Sequence, residues 1–351
     1  MYPRLSVDLL KVTHNTRTLV AMAREKGIGV YGVTKVHYGH PGITEAMVKG
    51  GIEGIADSRM ENLEAMGDYG IPRMLLRLPM LSEASRVVAG ADISLNSEMA
   101  TIKALGRAAV KQGKIHQIIL MIDLGDLREG IEPRDVHVFV PEIMKTEGIE
   151  LLGIGVNLTC YGGVIPDEGN LGELAAIAGE VQKRHGVSLK VVSGGNSSSL
   201  YLLKGDFPKG INQLRLGEGI VLGRETTKGD PIPGTYQDAF ILEAELIEVK
   251  EKDSYPRGTI GMDAFGNRPT YVDKGRMKRG ILAVGRQDVV PEGLTPFDSG
   301  IEVIGASSDH TILDLTPSGN AYEVGDILRF RLSYGALLAL STSAYVTVHT
   351  G

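Results

Sequence analysis

Lys35 stands directly behind an apolar run, Ile28-Gly-Val-Tyr-Gly-Val33, with only Thr34 between them. A lysine at the end of a buried strand is poorly hydrated, which favours its free amine, and a free amine attacks an aldehyde to form a Schiff base. The alternative is a strand-end lysine that simply snorkels its ammonium to water. Two glycine-rich strings, Ser193-Gly-Gly-Asn-Ser197 and Leu214-Arg215-Leu-Gly217-Glu-Gly219, each follow another apolar stretch. Glycines admit close backbone approach, while a serine hydroxyl and exposed amides suit a phosphate dianion. Either string alone reads equally as an ordinary strand-to-helix turn; together they converge on one anion. Arg128, in Asp123-Leu-Gly-Asp-Leu-Arg128-Glu-Gly, offers a planar fork that fits a carboxylate. Asp126 and Glu129 are close enough in sequence to claim it instead as an ion pair. Arg215 has a similar competitor in Glu218. Tyr255, beside Pro256, reads from the residues alone as loop packing.

These residues need elements to hold them. Residues 28 to 223 repeat one cycle of short apolar run, punctuated loop and amphipathic helical stretch. Candidate strands fall at Ile28 to Val33, Ile52 to Ala56, Arg73 to Leu78, Ala91 to Leu95, Ile115 to Leu124, Leu151 to Leu158, Leu189 to Ser193 and Asn212 to Leu216. Eight strands each leading to a helix predict an α/β fold, a (β/α)8 TIM barrel whose reactive groups lie at the C-terminal strand ends. A doubly wound open sheet is the competitor, because periodicity does not report closure. Val7 to Lys26 reads as an extra helix before the first strand, and Ser58-Arg-Met-Glu61 has the spacing of a capping box. After Pro231, Pro233 and Gly234, Ile241 to Val249 alternates as strands do, with further runs at Ile281 to Val284, Ile301 to Ile304, Thr311 to Leu315, Ile327 to Leu332 and Ala344 to Val348. The expected division is a barrel over residues 1–228 and a C-terminal β-rich domain over 229–351.

Composition narrows the classes. A net charge of −6 leaves no electrostatic footprint for nucleic acid, and the one basic cluster, Lys274-Gly-Arg-Met-Lys-Arg279, reads as a solvated turn. The longest apolar run, Ile118 to Ile122, is strand-sized, far short of the ~18 residues of a membrane span. One cysteine, Cys160, allows no internal disulfide, so the expected home is a reducing cytoplasm. No metal site is expected.

The string Val33-Thr-Lys35-Val-His-Tyr38-Gly-His resembles the cofactor-lysine region of the alanine racemase family, and Val7-Asp-Leu-Leu-Lys-Val-Thr-His-Asn15 resembles its opening helix. The likeness runs through nearly the whole chain. It is closest to the ornithine racemase branch at Asn157-Leu-Thr-Cys-Tyr-Gly-Gly163, Gly261-Met-Asp-Ala-Phe-Gly266 and Tyr334-Gly-Ala-Leu-Leu338. The resemblance implies pyridoxal 5'-phosphate held covalently by Lys35, its phosphate by Tyr38, Ser197, Gly217, the backbone of Glu218 and Tyr334. It also implies Arg215 at the ring nitrogen and Asn157 at the ring, where many family members carry histidine. Arg128, Ser308 and Asp309 would meet the substrate, and Lys35 and Tyr255 would serve the two faces of Cα. The implied enzyme is a two-base amino-acid racemase working as a homodimer with shared active sites. Ornithine is the expected substrate, with alanine or lysine as alternatives and a non-catalytic pyridoxal-phosphate carrier as the alternative class. Met121 falls where some relatives have a carbamylated lysine that orients the arginine, so Arg128 is expected to be positioned otherwise, by Asp126.

Overall fold

The computed structural model describes residues 1–351, which divide into two compact units, Leu9–Gln237 and Met1–Asp8 with Asp238–Gly351. The structural boundary thus falls nine residues beyond the expected one, and the first eight residues join the β-rich unit. Strand β1 (Arg4–Val7) and helix α1 (Leu9–Arg24) come first in the chain.

In the Leu9–Gln237 unit, eight parallel strands close on themselves: β2 (Gly29–Val33), β3 (Gly54–Asp57), β4 (Arg73–Leu75), β5 (Ile93–Asn96), β6 (His116–Met121), β7 (Ile149–Gly155), β8 (Val191–Ser193) and β9 (Gln213–Leu216). Closure is made by β2 against β9, in the register Gly29 with Gln213 through Gly32 with Leu216. The open-sheet alternative is thereby excluded. Strands covered on both faces carry continuous apolar runs, as in Ile118 to Ile122, every member of which is fully buried. Tyr31, Val33, Ala56, Met74, Ile93, Leu95, Ile119, Met121 and Leu152 fill the barrel. Gly153 is required by a close approach of β7 to β8, since a Cβ there would lie 1.9 Å from the Val191 carbonyl oxygen.

Helices α2 (Pro41–Lys49), α3 (Met60–Ala65), α4 (Ala84–Gly90), α5 (Met99–Lys111), α6 (Val136–Met144), α7 (Glu168–His185) and the short α8 (Glu218–Leu222) follow the strands, while β8 leads instead into a 3-10 stretch, Ser197–Lys204. Sequence sets where they begin and end. Pro41 occupies the first turn of α2, and α7 has a capping box between Asp167 and Asn170 and ends on Gly186 at φ +65. The capping box expected at Ser58 and Glu61 does not form. α3 starts on Arg59, whose amide donates to Asp57 Oδ1 at 2.9 Å, so the strand-end aspartate takes the role. Helix α1 buries Val12, Leu19, Val20 and Ala23, each large apolar side chain contributing about 2 kcal/mol. Its buried Asn15 donates to the Ile220 and Tyr236 carbonyls at 2.9 and 2.8 Å and accepts from the Tyr236 amide at 2.7 Å, fixing α1 against α8.

The other unit is a single eight-stranded sheet. Its members after β1 are β10 (Phe240–Asp253), β11 (Arg276–Leu282), β12 (Leu294–Pro296), β13 (Glu302–Ala306), β14 (Thr311–Asp314), β15 (Ile327–Leu332) and β16 (Thr347–Thr350), with helix α9 (Tyr334–Thr342) between the last two. The order is β12-β15-β10-β11-β14-β13, with β1 antiparallel to β10 and parallel to β16. β10 alternates as its sequence predicts, with Phe240, Leu242, Ala244 and Leu246 fully buried. The basic cluster expected to be a turn is only partly one. Arg276 to Arg279 opens β11, and two of the cluster's charges are met by acids, Arg276 by Asp253 at 3.2 Å and the preceding Lys274 by Glu302 at 2.9 Å. No helix in the chain is long and apolar enough to cross a membrane.

Candidate active site

Every barrel residue singled out in the sequence sits at or just past the C-terminal end of a strand. Lys35 is half-buried and opens a 3-10 turn, Lys35–His37, two residues past β2. Its neighbour Thr34 is anchored on both sides. The Thr34 amide donates to the Ala56 carbonyl at 3.0 Å, and Oγ1 donates to Asp57 Oδ2 at 2.6 Å. Asp57 is fully buried and also accepts from the Arg59 amide and from Asn62 Nδ2 at 3.0 Å. Burial pushes its carboxyl above the ordinary range, opposed by these donors. His37 has neither ring nitrogen hydrogen-bonded, and burial, then the nearby His40, pushes its pKa down to about 3, so no positive charge arises beside Lys35 from that side. Tyr38 ends the turn in the left-handed region at φ +56 and is 61% exposed.

The two glycine-rich loops meet. Ser197 Oγ accepts from the Gly217 amide at 3.3 Å and the Gly219 amide at 3.0 Å, which joins the β8 and β9 loops at one hydroxyl. Gly217 packs on β2, where an added Cβ would lie 3.1 Å from Val33 Cβ. Glu218, between the two glycines, receives no hydrogen bond and forms no ion pair, so the competing Arg215–Glu218 pair does not exist. Burial raises its pKa to about 7, with Lys35 and Arg224 opposing and Glu225 assisting. Arg215 instead points into the barrel end, 3% exposed, donating to Ser193 Oγ and, at 2.8 Å, to the Val156 carbonyl. Burial lowers its pKa to about 10, which still leaves it charged at neutral pH. Beside it Asn196 Nδ2 donates to Asn157 Oδ1 at 3.1 Å and to the Leu158 carbonyl at 2.9 Å, leaving Asn157 Nδ2 buried without a partner.

Arg128 is paired with Glu129, which accepts from both Nε and Nη2, and this hydrogen bonding raises the guanidinium above its ordinary range. The expected support from Asp126 is absent. Asp126 is 1% exposed and is consumed by another loop, accepting from the amides of Tyr161 at 3.0 Å and Val164 at 3.4 Å. Charge effects among Arg128, Glu129, Cys160 and Arg215 place the four in one neighbourhood. Met121, fully buried, is part of the apolar filling of the barrel.

Four expected site residues belong to the β-rich unit. Tyr255 follows β10, is 45% exposed and packs edge-on against Tyr271 with ring centroids 6.3 Å apart. Ser308 Oγ donates to Asp309 Oδ2 at 2.6 Å in the β13–β14 loop, and Tyr334 is the first residue of α9. Thr34, Asp57, Glu129, Ser193 and Asn196 were not among the expected site residues. Their only sequence signal is polarity at the ends of apolar strands. No group of three or more His, Cys, Asp or Glu side chains is arranged to hold a metal ion.

Residues 7–225 match the family described as alanine racemase, N-terminal domain. An ornithine racemase of Acetoanaerobium sticklandii is 47% identical over 348 residues, covering 99% of this chain and 99% of its own. A lysine racemase of Thermotoga maritima is 44% identical over 349 residues, covering 99% and 98%. In structure, the alanine racemase of Bartonella henselae with covalently bound pyridoxal phosphate superposes with a TM-score of 0.75 at 16% identity, covering 100% of both chains. That likeness speaks to the fold.

Proposed function

The chain belongs to the alanine racemase family, and from that premise we propose that it is a racemase that interconverts L- and D-ornithine with pyridoxal 5'-phosphate. The observation that carries the reading is that Lys35 follows β2, the strand paired with β9, at the end of the barrel where the Ser197–Gly217–Gly219 loops join and Arg215 is buried. Identity of 47% over the full length to an ornithine racemase supports the substrate, with lysine, at 44% identity to its racemase, next.

The residues present fit the cofactor. Asn157 Nδ2 is buried and unpartnered, and the backbone amides of Gly217 and Gly219, both within reach of the Ser197 hydroxyl, form a small cradle that a Cβ at Gly217 would crowd. Lys35 would hold it covalently, Tyr38, Ser197, Gly217 and the Glu218 backbone its phosphate, Arg215 its ring nitrogen and Asn157 its ring face. When bound, pyridoxal phosphate supplies an electron-withdrawing ring that acidifies the substrate's α-hydrogen.

The chain's own groups move the protons. Inversion without moving the substrate needs a proton acceptor on one face of Cα and a donor on the other. Lys35 Nζ serves one face, and Tyr255 of the partner subunit serves the other, so the working form is a homodimer. Arg215, still charged at neutral pH, would hold the cofactor's ring nitrogen as a hydrogen-bond donor that does not give up its proton. Arg128, its orientation held by Glu129, presents its remaining edge to the substrate carboxylate. We place the enzyme in the cytoplasm, where the exposed Cys160 thiol stays reduced.

The test is a chiral assay of the purified protein with pyridoxal phosphate and each enantiomer of ornithine, lysine and alanine. Ornithine is expected to equilibrate fastest in both directions. Failure to invert any of the three would end the reading, and faster inversion of lysine would reassign the substrate.

A further inference from the structure

Glu218 is the one acid at the anion loops left without a donor. Glu225, seven residues on, accepts from the amides of Thr227 and Lys228 at 2.8 Å each and of Asp230 at 3.0 Å, and stays ionised. Glu218 has no such bonds, although it lies between the two glycines whose amides both point at Ser197 Oγ. Lys35 is close by because β2 and β9 are paired. Gly32 sits opposite Leu216 and Gly217 packs on Val33, so the residues just beyond, Lys35 and Glu218, share one sector of the barrel rim.

We propose that Glu218 is a proton-linked brake on the cofactor site: its carboxyl releases its proton readily while the anion loops are empty and takes one up when the phosphate group of the cofactor enters. The inference rests on the pyridoxal-phosphate reading above. The groups that face Glu218 are Lys35, Arg224 and Glu225. With the loops empty, burial holds the carboxyl near the midpoint of its titration at about pH 7. A phosphate dianion at Ser197 adds negative charge beside a carboxylate that no donor stabilises, which favours the neutral acid. Linkage fixes the sign. Bound-state pKa exceeds free-state pKa, so binding consumes a proton above about pH 7, and affinity falls as pH rises through that value.

The experiment is titration calorimetry of pyridoxal phosphate into the cofactor-free protein, in two buffers of different ionisation enthalpy, at about pH 6 and about pH 8. Wild type is expected to take up nearly one more proton than Glu218→Gln at the higher pH and the same number at the lower. The variant's affinity advantage should grow from about onefold to about tenfold over that interval. Pyridoxal, which lacks the phosphate, should show no difference between the two proteins. Equal proton counts with tight binding by both would overturn the brake and leave the cofactor reading standing. Absence of pyridoxal-phosphate binding by wild type would overturn both. Should Glu218→Gln misfold, wild type alone still decides, because a proton count that does not rise between the two pH values with pyridoxal phosphate, relative to pyridoxal, contradicts the proposal.

Discussion

Thr34→Val removes one hydroxyl beside Lys35 and keeps the side chain's shape. The lost bond is the 2.6 Å donation from Oγ1 to Asp57, a carboxylate that is fully buried and keeps the Arg59 amide and Asn62 Nδ2 as partners, with help from the Ser58 backbone. A hydrogen bond to a buried charged acceptor contributes about 1.5–3 kcal/mol, so the variant should be about 2 kcal/mol less stable at neutral pH. The pH dependence makes the prediction specific. Burial raises Asp57 above its unfolded-state pKa, so its ionisation opposes folding, and the stability present in acid is lost as pH rises through the raised value. Removing a donor that favours the charged form raises it further. The deficit of the variant should therefore be smaller at about pH 4 than at about pH 8, because protonation of Asp57 removes the charge that Thr34 stabilises. Urea unfolding of both proteins across that range measures it. A deficit that stays constant with pH, or that never exceeds about 0.5 kcal/mol, would refute the assignment of Thr34 as the support of a buried carboxylate.

The site carries two further expected outcomes. Gly217→Ala places a Cβ 3.1 Å from Val33 Cβ and 3.3 Å from its carbonyl oxygen, so it should cost about 1–3 kcal/mol of stability and weaken pyridoxal-phosphate binding by about tenfold or more, read by absorbance titration. Tyr255→Phe should slow solvent exchange of the α-hydrogen from one enantiomer of ornithine more than from the other; equal slowing would remove Tyr255 from its proposed role.

The barrel was legible because each of its strands is an apolar run bounded by turn residues, a pattern that local sequence carries. Closure was not, since the pairing of Gly29 with Gln213 joins residues far apart in the chain. The same separation hid β1, which is only four residues long and finds its partners at Phe240 to Glu243 and Thr347 to Thr350. Lys274 to Arg279 was misread because charge and glycine suggested a turn, whereas its acids come from Asp253 and Glu302. In the site, Lys35, Ser197, Arg215 and Gly217 announced themselves by standing just behind apolar runs. Choosing between Asp126 and Glu129 as the partner of Arg128 was beyond sequence spacing, because Asp126 is claimed by the amides of Tyr161 and Val164. Likewise, the donor-poor state of Glu218 is visible only once its neighbours are placed.

The most direct measurement is chemical. The purified protein, loaded with pyridoxal phosphate and reduced with borohydride, should carry one stable pyridoxyl group, and peptide mass mapping should find it on Lys35. Lys35→Ala, treated identically, should bind no such group and invert neither enantiomer of ornithine. A label mapped to another lysine, or a Lys35→Ala protein that still racemises, would contradict the account.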